Sequence, residues 1–195
     1  MVIMAFAEHL APASLEHFVF GCPIIDQKRP MAVLGMGCFW GAERIFWKTP
    51  GITATSVGYA GGQKENVDYR LVCGGHTGHA EILTAHFDDS QISYEDIIRI
   101  FFENHDPTQG NRQGNDIGSQ YRSVIMPLDE AQDEVARRLL ADYNEAYLAK
   151  GFGPVTTDIL PVGPIILAEE YHQQYLAKNP NGYCGIAPTG VCLKR

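Results

Sequence analysis

The chain has 195 residues, 45% of them hydrophobic, which is enough for one globular domain with a full core. Its 15 basic residues stand against 23 acidic ones, a net charge of −8 that argues against nucleic acid as a partner. No stretch approaches a membrane span, and the apolar start Met1–Ala7 lacks a basic flank and is interrupted by Glu8 and His9, so neither a secretion signal nor a membrane anchor is expected. A reducing, cytoplasmic setting follows as the expectation. The five cysteines, Cys22, Cys38, Cys73, Cys184 and Cys192, are an odd count that does not read as a disulfide framework.

Residues 1–30 carry little periodicity, are punctuated by Pro12, Gly21, Pro23 and Pro30, and read as an N-terminal extension. Met31–Met36 reads as a buried strand and Ala42–Trp47 as a short helix stopped by Thr49-Pro50-Gly51. Between them lies Gly37-Cys38-Phe39-Trp40-Gly41, a thiol beside two large aromatic side chains at a strand-to-helix turn. Unpaired amides and the positive helix end there favour an anion, so the thiolate of Cys38 becomes more accessible near neutral pH. A small buried thiol can equally serve as a core residue. An aromatic wall beside a reactive sulfur suits chemistry on a small apolar group.

Ile52–Tyr59 reads as a strand, and the glycine-rich stretch 61–79 as an irregular loop of the kind that carries function. Ala80–Phe87 is a strand in which Glu81 shares its phase with Leu83, Ala85 and Phe87. If that face is internal, desolvation favours the neutral carboxyl and makes Glu81 a candidate proton donor; at the strand end it could instead reach water. Ser93 caps a helix with Ile97, Ile98, Phe101 and Phe102 on its apolar face, stopped at His105-Asp106-Pro107. A polar loop over 108–120 leads to a strand through Val124–Met126. The spacing predicts a long helix over 129–150, then one or two strands over 155–168 and a last helix over 169–178. A Gly- and Pro-rich tail, 179–195, carries Cys184 and Cys192 and reads as mobile. Strands and helices alternate without a glycine-rich dinucleotide fingerprint, and an α+β sandwich, sheet against helices, is the expected class.

The segment Gly37–Gly41 resembles the signature of the A-type peptide methionine sulfoxide reductases. The likeness extends to Thr77-Gly78-His79-Ala80-Glu81, His105-Asp106-Pro107 with Gln109-Gly110, Gly114-Asn115-Asp116 with Gly118, Gln120-Tyr121-Arg122-Ser123 and Tyr171-His172-Gln173-Gln174-Tyr175-Leu176. It covers roughly residues 31–192 in order. It implies a two-layer α+β sandwich with a ferredoxin-like core over 31–178, an irregular C-terminal tail, and reduction of the S epimer of methionine sulfoxide, peptide-bound or free, as protein repair under oxidative stress. One reductase serves each sulfoxide epimer.

In the roles the resemblance implies, Cys38 attacks the sulfoxide sulfur and Glu81 supplies protons to the oxygen. Tyr69 and Tyr121 hydrogen-bond that oxygen, Phe39 and Trp40 take the terminal methyl, and Asp116 positions the substrate. Attack leaves a Cys38 sulfenic acid, and Cys184 and Cys192 match the recycling cysteines of the three-cysteine subgroup. The implied relay is a Cys38–Cys184 disulfide, exchange to Cys184–Cys192, and reduction by thioredoxin. No cofactor or metal is implied, and a monomer is expected. Three other readings compete: a metal site from Cys73, His76 and His79 with tail thiolates, a cysteine hydrolase pairing Cys38 with a histidine, and a non-catalytic redox-sensing thiol protein.

Overall fold

The computed structural model describes residues 15–194; the expectations for residues 1–14 fall outside them. Six strands form a mixed sheet in the order β7-β6-β1-β3-β2-β8, where β1 is Met31–Met36, β2 Ile52–Ala60, β3 Ala80–Phe87, β6 Ser123–Ile125, β7 Asp158–Ile159 and β8 Ile166–Leu167. Neighbours pair antiparallel except β6 and β7, which run parallel. The central strands β1 and β3 are buried throughout. The register between β2 and β3 shifts between Ile52 and Ala54, after which Thr55, Val57 and Tyr59 lie opposite Ala85, Leu83 and Glu81.

One sheet face carries Ala32, Leu34, Met36, Val57, Leu83, Ala85 and Phe87 and packs against three helices. These are α1 (Phe39–Trp47), α3 (Tyr94–Glu103) and α4 (Glu130–Ala149). The opposite face holds a smaller cluster around Val33, Ile82, Val124 and Met126, covered by Leu128, Leu160 and Val162. Ser93 and Asp96 form a reciprocal cap on α3, and Asp129 caps α4 through Gln132 N–H. Phe102 of α3 is fully buried and stacks on Tyr143 of α4 at 4.7 Å between ring centres. Phe102→Ala is expected to cost about 3–5 kcal/mol, the usual range for such a truncation. Urea unfolding checks this, and a loss below about 1 kcal/mol would mean that the α3–α4 seam contributes little.

The chain departs from the sequence expectations in four places. The stretch 61–79 contains a helix, α2 (Tyr69–Cys73), started by Asp68, whose carboxylate accepts from Leu71 N–H at 2.8 Å. The loop 108–120 contains a hairpin, β4 (Arg112–Gln113) with β5 (Asp116–Ile117), and a 3-10 turn over Ser119–Tyr121. α1 begins at Phe39 rather than Ala42. The last helix is only α5 (Tyr175–Lys178), because Gln174 is left-handed at φ 48° and the preceding residues form turns.

Side-chain bonds explain that last difference. Gln173 is tied to Val57 N–H, Val57 C=O and Ala168 C=O, which fixes it to β2. Gln174 donates both its backbone N–H and its side-chain amide to Glu43, a fully buried carboxylate on α1. Thr55 also donates to Glu43, and His17 of the N-terminal segment sits 2.8 Å from Thr55 Oγ1. His17 Nδ1 accepts from Val19 and Phe20 N–H, so Nε2 carries the proton and donates to Thr55. Burial pushes the Glu43 carboxyl up to about 7 against these donors. The result is that His17, Thr55 of β2, Glu43 of α1 and the 173–174 turn form one buried polar network.

Candidate active site

Cys38 lies where β1 hands over to α1, as the N-cap residue of the helix. Gly37 makes the turn at φ +97°, and a Cβ there would come 2.5 Å from Gln113 Cγ, so the position demands glycine on both counts. Gln113 in turn bonds Asp106 N–H and C=O, which fixes the hairpin beside the turn. Cys38 is 7% exposed. Burial, and then the Glu81 carboxyl beside it, pushes its thiol well above the ordinary range, although the Trp40 and Gly41 amides pull the other way. The resting Cys38 side chain is therefore held as a thiol, against the pull of the helix end.

Glu81 projects from β3 onto the helix-covered face and is 2% exposed. Its Oε2 accepts from Phe39 N–H at 3.0 Å, which places it beneath the first turn of α1. Burial, opposed by that N–H and reinforced by Asp116, pushes it up to about 8. At neutral pH it is a carboxylic acid next to the thiol.

Two phenols complete the polar side. Tyr69 opens α2, and Tyr121 ends the 3-10 turn packed on β3. Burial pushes both above their usual range, with the Glu81 charge adding to each, so they remain proton donors. The Cys73 thiol lies one helical turn after Tyr69 and close to both hydroxyls, which temper the rise that burial gives it. Sequence reading gave Cys73 no role; the i, i+4 spacing to Tyr69 was the available signal, hidden because α2 itself went unseen.

The apolar side is formed by Phe39 and Trp40. Trp40 Nε1–H donates to His172 Nδ1 at 3.0 Å, and the indole stacks on Tyr175 at 4.0 Å. Phe39 packs on Tyr59 and His172 at 5.8 and 5.2 Å between ring centres. Glu169 ties this wall to α2 by accepting from Tyr69 N–H and Tyr59 Oη, each at 3.0 Å. The Tyr171–Tyr175 motif thus holds the indole through His172 and β2 through Gln173, roles that sequence reading did not assign.

Asp116 sits on β5, and Tyr183 of the tail donates to its Oδ2 at 3.2 Å. All five cysteines are free. Cys184 Sγ rests against α1 where Gly41 leaves room: a Cβ on Gly41 would come 2.8 Å from it. Cys192 is exposed, while its neighbour Val191 is buried. Thr189 bonds Tyr147 of α4, and Lys150 donates to Gly190 C=O. The described tail residues 179–194 contain no helix or strand and are held near Tyr183 and near Thr189–Gly190.

The competing site residues are placed elsewhere. His105 is locked between Phe101 C=O and Ser123 Oγ, and the acid beside Cys38 is a carboxyl rather than a histidine. His76 is exposed, and His79 is buried against Gly62. Among the described residues no three His, Cys, Asp or Glu side chains are grouped to hold a metal ion. Among the same residues no helix is long and apolar enough to cross a membrane.

Residues 30–192 match the family model described as peptide methionine sulfoxide reductase. The chain is 51% identical over 183 residues to peptide methionine sulfoxide reductase MsrA 1 of Caulobacter vibrioides, covering 92% of this chain and 84% of that one. Among solved structures it is similar to methionine sulfoxide reductase A of Corynebacterium diphtheriae, with TM-score 0.82, 44% identity, and coverage of 86% of this chain and 83% of that one. Mxr1 of Saccharomyces cerevisiae in reduced form aligns with TM-score 0.73 and 35% identity over 87% of this chain and 94% of its own. Mxr1 in complex with Trx2 shares the fold at TM-score 0.53 and 22% identity, over 83% and 91%. The buried thiol and acid at the head of α1 therefore stand in a known lineage: this chain belongs to the peptide methionine sulfoxide reductase family.

Proposed function

We propose that this enzyme, a peptide-methionine (S)-S-oxide reductase, works through Cys38 as nucleophile and Glu81 as proton donor. The observation that carries this is the buried Glu81 carboxyl, which accepts from Phe39 N–H beside the Cys38 thiol and is pushed up to about 8, so that the neutral acid is favoured. The sulfoxide oxygen enters between Glu81, Tyr69 and Tyr121, and the methyl group rests on Phe39 and Trp40. Asp116 holds the substrate backbone. As the Cys38 sulfur bonds to the sulfoxide sulfur, Glu81 gives its proton to the oxygen and regains one from the thiol. The oxygen, with that proton, ends on Cys38 as a sulfenic acid, and methionine leaves.

A methyl on an apolar wall is worth about 0.8 kcal/mol, whereas an unpaired buried polar group costs about 1–3 kcal/mol. The oxygen-binding groups are therefore the stronger source of discrimination between sulfoxide and its apolar analogues. In the relay, the Cys184 thiol displaces the sulfenic oxygen as water and forms a disulfide with Cys38; Cys192 then exchanges with Cys184 and frees Cys38. The seat of Cys184 against Gly41, three residues from Cys38, supports the first exchange. This places the chain in the three-cysteine subgroup, with thioredoxin as the external reductant, as the yeast relative's complex suggests, and without a prosthetic group.

The catalytic unit is residues 31–178, preceded by an N-terminal extension over 1–30 and followed by the recycling tail over 179–195. Its β1-α1-β2-β3-α3-β6 order with strand order β6-β1-β3-β2 supports the reading of a ferredoxin-like core. The protein acts as a cytoplasmic monomer on oxidised proteins and on free methionine sulfoxide.

The test is a reductant-free turnover of fully reduced protein with a peptide carrying S-methionine sulfoxide. About two equivalents of methionine per chain are expected, falling to one in Cys192→Ser, because Cys192 frees Cys38 for a second cycle. One equivalent from the unaltered protein would refute the relay, and none would refute the roles of Cys38 and Glu81.

A further inference from the structure

The relay uses Cys184 but leaves its neighbour Tyr183 unexplained. Residues 183–186 cross the active site in a trough built from glycines. On one wall, a Cβ at Gly114 would come 2.8 Å from Gly185 C=O, and a Cβ at Gly185 would come 2.9 Å from Asp116 Oδ2. On the other wall, Cβ atoms at Gly37 and Gly41 would meet Ile186 at 3.7 and 3.2 Å. The tail thus fits closely between the β4–β5 hairpin and α1, and a side chain at Gly114, Gly185 or Gly41 would crowd it. Cys184 is carried against α1 by that fit.

Tyr183 is 45% exposed, and its hydroxyl donates to Asp116 Oδ2. Gly185 approaches the same oxygen, so one edge of Asp116 is covered by the tail. A substrate backbone amide arriving at that carboxylate meets the tyrosine hydroxyl first. Cys184, the next residue, is the one seated against Gly41.

We propose that Tyr183 is a positioning residue that holds Asp116 in the resting enzyme and yields it to the substrate, so that substrate and resolving thiol occupy the site in turn. This rests on the reading of Asp116 as the residue that holds the substrate backbone. While substrate is bound, Cys184 is displaced from its seat. When methionine leaves, Tyr183 returns to Asp116 and brings Cys184 back to a Cys38 that now carries the sulfenic oxygen. Cys184 then bonds to Cys38, the S–O bond breaks, and oxygen leaves as water with the thiol proton.

The test is Tyr183→Phe in the full chain, followed through a single reductant-free turnover of the peptide sulfoxide at varied concentration. Loss of the competing hydrogen bond is expected to lower the half-saturating substrate concentration about fivefold at an unchanged limiting rate. Formation of the Cys38–Cys184 disulfide after methionine release should slow by a similar factor. An unchanged or raised half-saturating concentration would overturn the proposal, since a tyrosine that simply contacts substrate or supports the fold gives that sign. Asp116→Ala separates the two levels: it should raise the half-saturating concentration. If it does not, the assignment of Asp116 fails and the alternation falls with it; if it does while Tyr183→Phe changes nothing, only the alternation is wrong.

Discussion

Replacing Glu81 by Gln slows methionine release in a single turnover by about 10²-fold or more while leaving the fold intact, the scale expected when a positioned general acid is lost. Gln keeps an oxygen to accept from Phe39 N–H, so the first turn of α1 retains its partner. What it loses is a proton to give. The pH dependence follows from the same group. With Glu81 as the proposed acid, held up to about 8, the unaltered enzyme should keep its rate below that pH and lose it above, a limb absent from Glu81→Gln. Stability has its own sign. Between the ordinary carboxyl value of 4.5 and about 8 the folded chain holds a proton that the unfolded chain has released. Stability must therefore fall as pH rises through that window. Glu81→Gln removes this contribution and should melt higher relative to the unaltered protein at pH 8.5 than at pH 4.5. Glu43, raised to about 7 by burial, contributes in the same direction to both proteins and cancels in the comparison. A near-normal single-turnover rate in Glu81→Gln would remove the carboxyl from the mechanism, whatever the melting curves show.

The parts of this site that were legible in the sequence are those set by local pattern. Cys38 at a strand-to-helix turn follows from an apolar run meeting a helical period, and the burial of Glu81 follows from its phase with Leu83, Ala85 and Phe87. The capped helix after Ser93 and the long helix after Asp129 carry their own start signals, and both form within a residue or two of the expected bounds. What escaped depends on contacts distant in sequence. α2 has only five residues and is held by Asp68 and by Glu169, a hundred residues away, so no periodicity could announce it. Gln174 leaves the helical region because the Glu43 carboxylate takes both its N–H groups, a tertiary bond that overrides helix propensity. The upward shift of the Cys38 thiol escaped for a similar reason: helix position is visible in sequence, but the enclosing core and the approach of Glu81 across the sheet are not.

The seat of Cys184 against Gly41 is another such long-range feature, and under the proposed relay it ties Gly41 to recycling. Gly41→Ala is expected to leave the first methionine equivalent intact and to slow formation of the Cys38–Cys184 disulfide by more than tenfold. The added methyl would lie 2.8 Å from Cys184 Sγ and 3.2 Å from Ile186 Cδ1, well inside contact distance for the sulfur. A thiol at the end of a short side chain can swing aside at little cost, so the fold should survive. Alanine inside α1 should even favour the helix by roughly 0.5–1 kcal/mol over glycine. Chemistry between two sulfurs is less tolerant. A disulfide forms only within a narrow range of separations and torsions, and displacing a reacting group by about 1 Å can cost about 10²-fold. The Cys38 sulfenic acid should then persist, become trappable by a 1,3-dione reagent, and overoxidise when excess oxidant is present. Mass spectrometry of quenched samples reads both species beside the methionine count. If the disulfide forms in Gly41→Ala as fast as in the unaltered protein, the contact at Gly41 is incidental and Cys184 reaches Cys38 by another path. If the methionine burst is lost as well, the methyl has disturbed the pocket itself, and the separation between reduction at the head of α1 and recycling along its glycine edge does not hold.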